Sequence, residues 1–179
     1  RHIEGNRISL GEPEEVNSER LKILSGLLIS GGLKAPQKKK LRDEIWIKLW
    51  GNCSFNPLSA ITGASLDVLG NDPSSRLLIQ TLMEECQKVG EAVGAKFNVS
   101  IENRINGASS IIGHKPSTRQ DIELKRPLEI DPIMSAIVEI GTKLGIHTPM
   151  LKHVNGILKL KAGYLGLYTR NELIDKLTV

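Results

Sequence analysis

The sequence predicts a mainly helical fold opened by a short α/β segment, and three observations carry that expectation. From about Leu41 onward strand signals vanish and apolar residues recur at helical spacing. The first forty residues instead read strand, helix, strand, too little to close a core of their own. Between the two lies PQKKK, a proline- and lysine-rich stretch that marks a boundary, so 1–39 and 40–179 are expected to be separate units.

Each element has a local reason. Residues 7–10 (RISL) alternate polar and apolar and meet Gly11, which gives a short strand. Asn17 or Ser18 caps a helix reaching to about Gly31, with Leu21, Leu24, Leu27 and Leu28 on one face. The next stretch, LKAPQKKK, contains Pro36 and is an edge strand or an extended linker. DEIWIKLWGNCSFN is expected as one helix ending at Asn56, because Pro57 disfavours the helical conformation of the residue before it. NPLSAITGAS follows as a short helical segment. Asp72 caps a long helix with Pro73 at its first position and Leu78, Leu82, Cys86 and Val89 on its apolar face, Val93 one turn on. SIENRINGASSII is a weaker helix, and KPSTRQDIELKR starts another at Pro116 or Ser117. EIDPIMSAIVEIGTKLG is a strong helix ending at Gly145, with Pro132 in its first turn. TPMLKHVNGILKLKAG takes Thr148 as cap and Pro149 as its first residue, and TRNELIDKL closes the chain as a short helix capped by Thr169. Val138, Leu144, Met150, Val154, Leu158 and Leu160 are expected in the core, with one helix face available for a dimer interface.

Composition narrows the classes of function. At 179 residues the chain can bury a core without staples, and 40% hydrophobic against 25% charged residues is an ordinary globular balance. The net charge of +4 admits an anionic ligand without calling for nucleic acid, and an aromatic content of 3% leaves few platforms for stacked bases. The basic run Lys38, Lys39, Lys40 and Arg42 reads as a solvated linker. Cys53 and Cys86 are too few for a disulfide framework or a cysteine-rich zinc site, and His114, His147 and His153 lack metal-ligand spacing. No apolar run approaches the roughly 20 residues that span a bilayer, and no leader sequence is visible. A cytoplasmic protein is expected. Arg1 in place of an initiator Met suggests a chain cut from something longer.

The dinucleotide fingerprint GxGxxG, the phosphate loop GxxxxGK[ST], HExxH, CxxC and GxSxG are all absent. Lys48, Asn52 and Asn56 lie at i, i+4 and i+8 in an otherwise apolar segment holding Trp46, Leu49, Trp50 and Phe55. Each step of four turns only about 40° around a helix, so the three form one polar stripe. One cation with two neutral amides suits a small oxygen-rich anion. The bland reading makes Lys48 a solvated edge and the asparagines caps of a kink before Pro57. Ser117 and Glu129 stand at helix starts, where they serve either plain capping or an anion site.

KLWGNCSFNPLSAI, KPSTRQDIELKRPLEID and GTKLGIHTPML, in that order, resemble the carboxy-terminal half of the ketopantoate reductase (2-dehydropantoate 2-reductase) family. RHIEGNRISLGEP is similar to the end of that family's Rossmann domain. The resemblance implies a helical domain like the carboxy-terminal one of 6-phosphogluconate dehydrogenase, preceded by a remnant of an NADPH-binding Rossmann domain. It implies Lys48 as the catalytic lysine, Asn52 and Asn56 as substrate-holding asparagines, Ser117 as the serine on the substrate carboxylate, and Glu129 at the cofactor and active-site side. Thr118, Arg119 and the Trp50-Gly51 pair depart from the family pattern, and Arg119 is a further cation near that ligand or simply exposed.

The implied reaction is hydride transfer from NADPH to the ketone of a small 2-oxo acid with Lys48 as general acid, in pantothenate synthesis. The segment by itself is expected to be inactive. Reduction of another 2-oxo acid is the nearest alternative, and a non-catalytic helical oligomerisation module is the competing class.

Overall fold

A computed structural model describes residues 5–169. These contain α1 (Glu19–Ser30), α2 (Leu41–Cys53), α3 (Phe55–Thr62), α4 (Leu66–Asn71), α5 (Pro73–Ala92), α6 (Ile101–Ser109), α7 (Ser117–Glu123), α8 (Ala136–Lys143) and α9 (Pro149–Tyr164). A π-helical turn, Asp131–Ser135, runs directly into α8. The chain divides into two compact units, Arg1–Ile45 and Trp46–Val179, the division falling within α2.

In the first unit the two expected strands pair in parallel, but only through isolated bridges, Arg7 with Lys34 and Leu10 with Gln37. Lys34 N–H donates to Asn6 O, Ile8 N–H to Lys34 O, Leu10 N–H to Pro36 O, and Lys38 N–H to Leu10 O. The register requires one more bond between these, from residue 36 to Ile8 O. Pro36 has no N–H to give, so a short ladder becomes two bridges. Ser18 caps α1 by accepting from Leu21 N–H at 3.1 Å. Glu12 ties this start down through Arg20, whose Nε donates at 2.7 Å, and these bonds with that of Ser18 hold its carboxyl at a pKa of about 2. Ser25 Oγ donates to Ala35 O at 2.7 Å and fastens α1 to the returning segment. The expected apolar face is buried only at Leu21, while Leu24 and Leu27 stand 47% and 65% exposed. Two paired segments are too narrow a layer to cover more than one stripe of a helix.

The second unit is built around α5, which packs against α4, α6, α8 and α9. Asp72 caps it, accepting from Ser75 N–H at 2.8 Å, and Pro73 takes the first position as expected. Ile79, Leu82, Met83, Cys86 and Val89 are buried along it. Trp50 stacks on Phe97, ring centroids 4.6 Å apart. Cys53 and Cys86 are buried free thiols, and burial pushes Cys53 well above the ordinary thiol pKa.

Several expectations need correction. The helix through Lys48 stops at Cys53 instead of Asn56, and a new one starts at Phe55. Ser54 between them leaves the helical conformation (φ −120°, ψ −74°), and its hydroxyl donates back to Trp50 O. Pro57 falls in the first turn of α3, where a missing N–H costs nothing. α4 has no counterpart among the expected elements. The helix expected to run to Gly145 begins as the π turn, with Ser135 Oγ donating to Asp131 Oδ1 at 2.8 Å, and ends at Lys143. Gly145 supplies the left-handed turn that follows, at φ +70°. Leu144 and Leu160 are exposed at 47% and 71% and are not core residues. The helix expected over TRNELIDKL lies outside the described residues. Among the described residues, no helix is long and apolar enough to cross a membrane.

Thr148 occupies the position before α9 but does not cap it, and its buried Oγ1 has no hydrogen-bond partner. Its backbone (φ −129°, ψ 57°) departs from the extended conformation of a capping residue. The cap comes from α5 instead: Met150 N–H donates to Glu85 Oε1 at 3.0 Å and Leu151 N–H to Glu85 Oε2 at 2.9 Å. Glu85 is buried, so both bonds are desolvated and charge-assisted. Glu85→Ala is expected to cost about 3 kcal/mol in urea unfolding, and Glu85→Gln, which keeps one acceptor, less. An unchanged unfolding midpoint in Glu85→Ala would show that the cap does not support the fold.

Candidate active site

A cleft of about 480 Å³ in the second unit lies where α2, α3, α6 and α7 meet. Lys48 and Asn52 reach it from α2, Asn56 from the first turn of α3, and Ser117 from the first residue of α7. The break at Ser54 puts Asn56 on a different helix from Lys48, so the anticipated single stripe is a stripe carried across a joint. The asparagines still meet, Asn56 Nδ2 lying 3.4 Å from Asn52 Oδ1. Asn56 is buried, Asn52 half-buried, and Lys48 and Ser117 exposed. The polar lining therefore runs from a covered end to an open one.

Glu129 is absent from this lining and stands exposed in the stretch before the π turn. Arg119 is also absent, its Nε held by Glu123 Oε1 at 3.0 Å. Lys115 shares that carboxylate and is the first cause of its lowered pKa, with Arg119 adding to the effect. Among the described residues, no group of three or more His, Cys, Asp or Glu is placed to hold a metal ion.

The structure adds residues that the sequence reading passed over. Arg104, Gly107, Ala108 and Ile111 line the cleft from α6 and the residues after it, and His114 and Gln120 line it beside Ser117. Their spacing, i, i+3, i+4, i+7 from Arg104, was the available signal: one helix face with a cation beside two small residues. Among the described residues, the lining holds two cations, Lys48 and Arg104, and no carboxylate. With its amide and hydroxyl donors it suits a small anion rich in oxygen.

Two packing details position these groups. Where α4 crosses α6, a methyl group on Gly70 would come within 1.8 Å of Ser109 Oγ and 2.8 Å of its Cβ, so only glycine permits the approach. The loop leading to Ser117 is held by Leu66 N–H donating to His114 O at 3.2 Å and Gly113 N–H donating to Asp67 Oδ1 at 3.0 Å. The Ser65 hydroxyl, and after it the Gly113 N–H, keep the Asp67 carboxyl below its ordinary pKa.

The second unit is thus a helical domain with a cleft suited to a small anion. The family model for the ketopantoate reductase PanE/ApbA C terminal matches residues 40–162. A 2-dehydropantoate 2-reductase of Mesorhizobium japonicum is 43% identical over 169 residues, 94% of this chain and 52% of that protein. A structure from Ralstonia solanacearum described as a ketopantoate reductase superposes with a TM-score of 0.88 at 34% identity, covering 94% of this chain and 51% of that one. A ternary structure of D-mandelate dehydrogenase with NADH and anilino(oxo)acetate gives a TM-score of 0.80 at 25% identity, covering 93% of this chain and 70% of that one. The chain belongs to the ketopantoate reductase family. It spans about half the length of the curated relatives it matches.

Gly70→Ala is expected to lower stability by about 1–3 kcal/mol, and Ser109→Gly in the same chain to recover most of the loss. Equal stability of the wild type and Gly70→Ala in urea would contradict the close crossing. Because the Asp67 pKa is depressed, its anchoring of the loop is fully present above the ordinary value of 3.8 and is lost as pH falls through the lower folded value. In a carboxyl NMR titration Asp67 should protonate at lower pH than in Ser65→Ala, and identical midpoints would remove the hydroxyl as the cause.

Proposed function

We propose that this chain is the substrate-side part of an NADPH-dependent 2-dehydropantoate 2-reductase, with 1–39 the end of a Rossmann domain and 40–179 the catalytic helical domain. One observation carries the reading: Lys48, Asn52, Asn56 and Ser117, drawn from three helices, line one cleft. The family's residues are thereby matched by a shared location as well as by order in the sequence. Glu129 lies outside that lining, and its proposed cofactor-side role rests on the family resemblance alone.

The chain contains no glycine-rich phosphate loop, so the dinucleotide phosphates would be held by residues beyond it. What fits is the substrate end, open on the side of Lys48 and Ser117. NADPH, when bound, supplies a hydride to the ketone carbon. Lys48 then stabilises the charge arising on the ketone oxygen and passes a proton from Nζ to that oxygen. Asn56, fixed in the covered part of the cleft and joined to Asn52, orients the substrate's polar groups. Ser117 Oγ donates to the carboxylate. Much of the rate then comes from positioning on rigid helices.

Reduction of another 2-oxo acid is favoured by one finding. The D-mandelate dehydrogenase structure at TM-score 0.80 carries a ligand whose name describes an oxo group beside a carboxylate. The test is NADPH oxidation by the protein translated from its complete reading frame, with ketopantoate and a panel of 2-oxo acids. Lys48→Ala is expected to lower kcat by roughly 10²–10⁴-fold while the protein stays folded. Turnover at the wild-type rate in that variant would remove Lys48 from the chemistry. Turnover of another 2-oxo acid alone would change the substrate and keep the mechanism.

A further inference from the structure

We propose that Arg104 reads the substrate carboxylate, its guanidinium gripping both oxygens while Lys48 faces the neighbouring keto oxygen. This rests on the reductase reading for the identity of the anion, but not for the existence of an anion clamp.

Four observations support it. First, Arg104 and Lys48 are the Lys/Arg cations of a cleft whose lining, among the described residues, contains no aspartate or glutamate, so their charge is not cancelled there. Second, the guanidinium has no hydrogen-bond or ion-pair partner among the described residues. Other arginines are committed to protein groups: Arg20 to Glu12, Arg76 to Gly70 O and Asn106 Oδ1, Arg119 to Glu123, and Arg126 to Asp121. Third, the guanidinium lies against α2 where that helix lacks a side chain. A methyl group on Gly51 would sit 3.6 Å from Arg104 Nη2. Gly51 is three residues beyond Lys48, on the same face and next to Asn52, so the bare patch brings the second cation beside the first. Fourth, the chemistry discriminates. A carboxylate presents two coplanar oxygens, which a guanidinium meets with two parallel N–H bonds. The Ser117 hydroxyl has one proton to donate and cannot fix a carboxylate plane alone.

The geometry divides the two cations between two jobs. Lys48, a compact ammonium able to release a proton, suits the oxygen that becomes an alkoxide. Arg104, which stays charged through the cycle, suits the group whose charge does not change. Selectivity for 2-oxo acids over neutral ketones then resides on α6, at a residue outside the motifs that carry the family resemblance.

The test compares wild type, Arg104→Gln and Arg104→Lys in the protein translated from its complete reading frame. Each is assayed with a 2-oxo acid and with the corresponding uncharged 2-oxo amide, and folding is checked by thermal melting. Arg104→Gln is expected to raise KM for the acid roughly 10- to 100-fold with kcat changed less than about 3-fold, and to leave KM for the amide unchanged. Arg104→Lys should fall between, because it keeps the charge and loses the fork. Gly51→Leu, which fills the bare patch, should raise KM for the acid as well. An unchanged KM for the acid in Arg104→Gln, with Lys48→Ala still lowering kcat, would overturn the assignment and leave the reductase reading standing. If the wild type reduces no 2-oxo acid, the reductase reading falls, and calorimetric titration with oxamate decides the clamp separately. Weaker oxamate binding in Arg104→Gln supports it, and equal binding overturns it.

Discussion

The arrangement of the helical unit depends on how the two ends of α9 are charged. A buried carboxylate, Glu85 of α5, accepts from the first free N–H groups of α9. Near the other end of the same helix, Lys161 Nζ donates to Ala60 O and Ile61 O at 2.8 Å, two carbonyls of the last turn of α3. Anion at a helix start and cation at a helix end are the favourable signs for the helix dipole, and each bond fixes one helix against another. The result is a line of constraint from α5 through α9 to α3, and Asn56 stands at the opposite end of α3 from the carbonyls Lys161 holds. An amide of the cleft lining is thereby linked, through two helices, to a glutamate outside that lining.

Much of the helix order was legible because the punctuation is local. Asp72-Pro73 and Ser18 act within one turn, and the apolar period of α5 needs no distant partner to be read. The misses have separate physical causes. The cap of α9 comes from a residue about 65 positions earlier, so Thr148 looked sufficient by itself. The break at Ser54 depends on a hydroxyl returning to Trp50 O in a buried joint, whereas Pro57 drew attention to the wrong bond. Leu24 and Leu27 had a helical face but no layer wide enough to cover it. In the cleft, Lys48, Asn52, Asn56 and Ser117 could be named from their motifs, but Arg104 could not. Only the fold shows that α6 delivers it over Gly51.

The core and the cleft treat charge in opposite ways. Around the π turn, Asp131 is ringed by Lys159 Nζ at 3.3 Å, the Tyr168 hydroxyl at 3.1 Å and Ser135 Oγ, to which Asn155 Nδ2 also donates at 3.1 Å. Lys159 is buried there, and burial raises the Tyr168 hydroxyl above its ordinary pKa despite the lysine beside it. Every charge in that cluster is matched, as a low-dielectric interior demands, and the cluster binds α9 to the turn before α8. The cleft does the reverse. Among the described residues its cations have no counter-charge in the lining, an arrangement tolerable because the cleft is open to water.

That one-sided lining has a consequence for the ionic atmosphere around the molecule. At about 0.15 M salt the screening length is near 8 Å, so attraction well beyond the rim of the cleft is largely extinguished. On the proposed reading, discrimination between a 2-oxo acid and the inorganic anions of a buffer would then come from contact geometry within the cleft. Tetrahedral oxyanions such as phosphate and sulfate carry the charge but lack the planar pair of oxygens beside a keto group. They become competitors whose hold weakens steadily with ionic strength, while a well-fitted planar anion is held by bonds that salt reaches less readily.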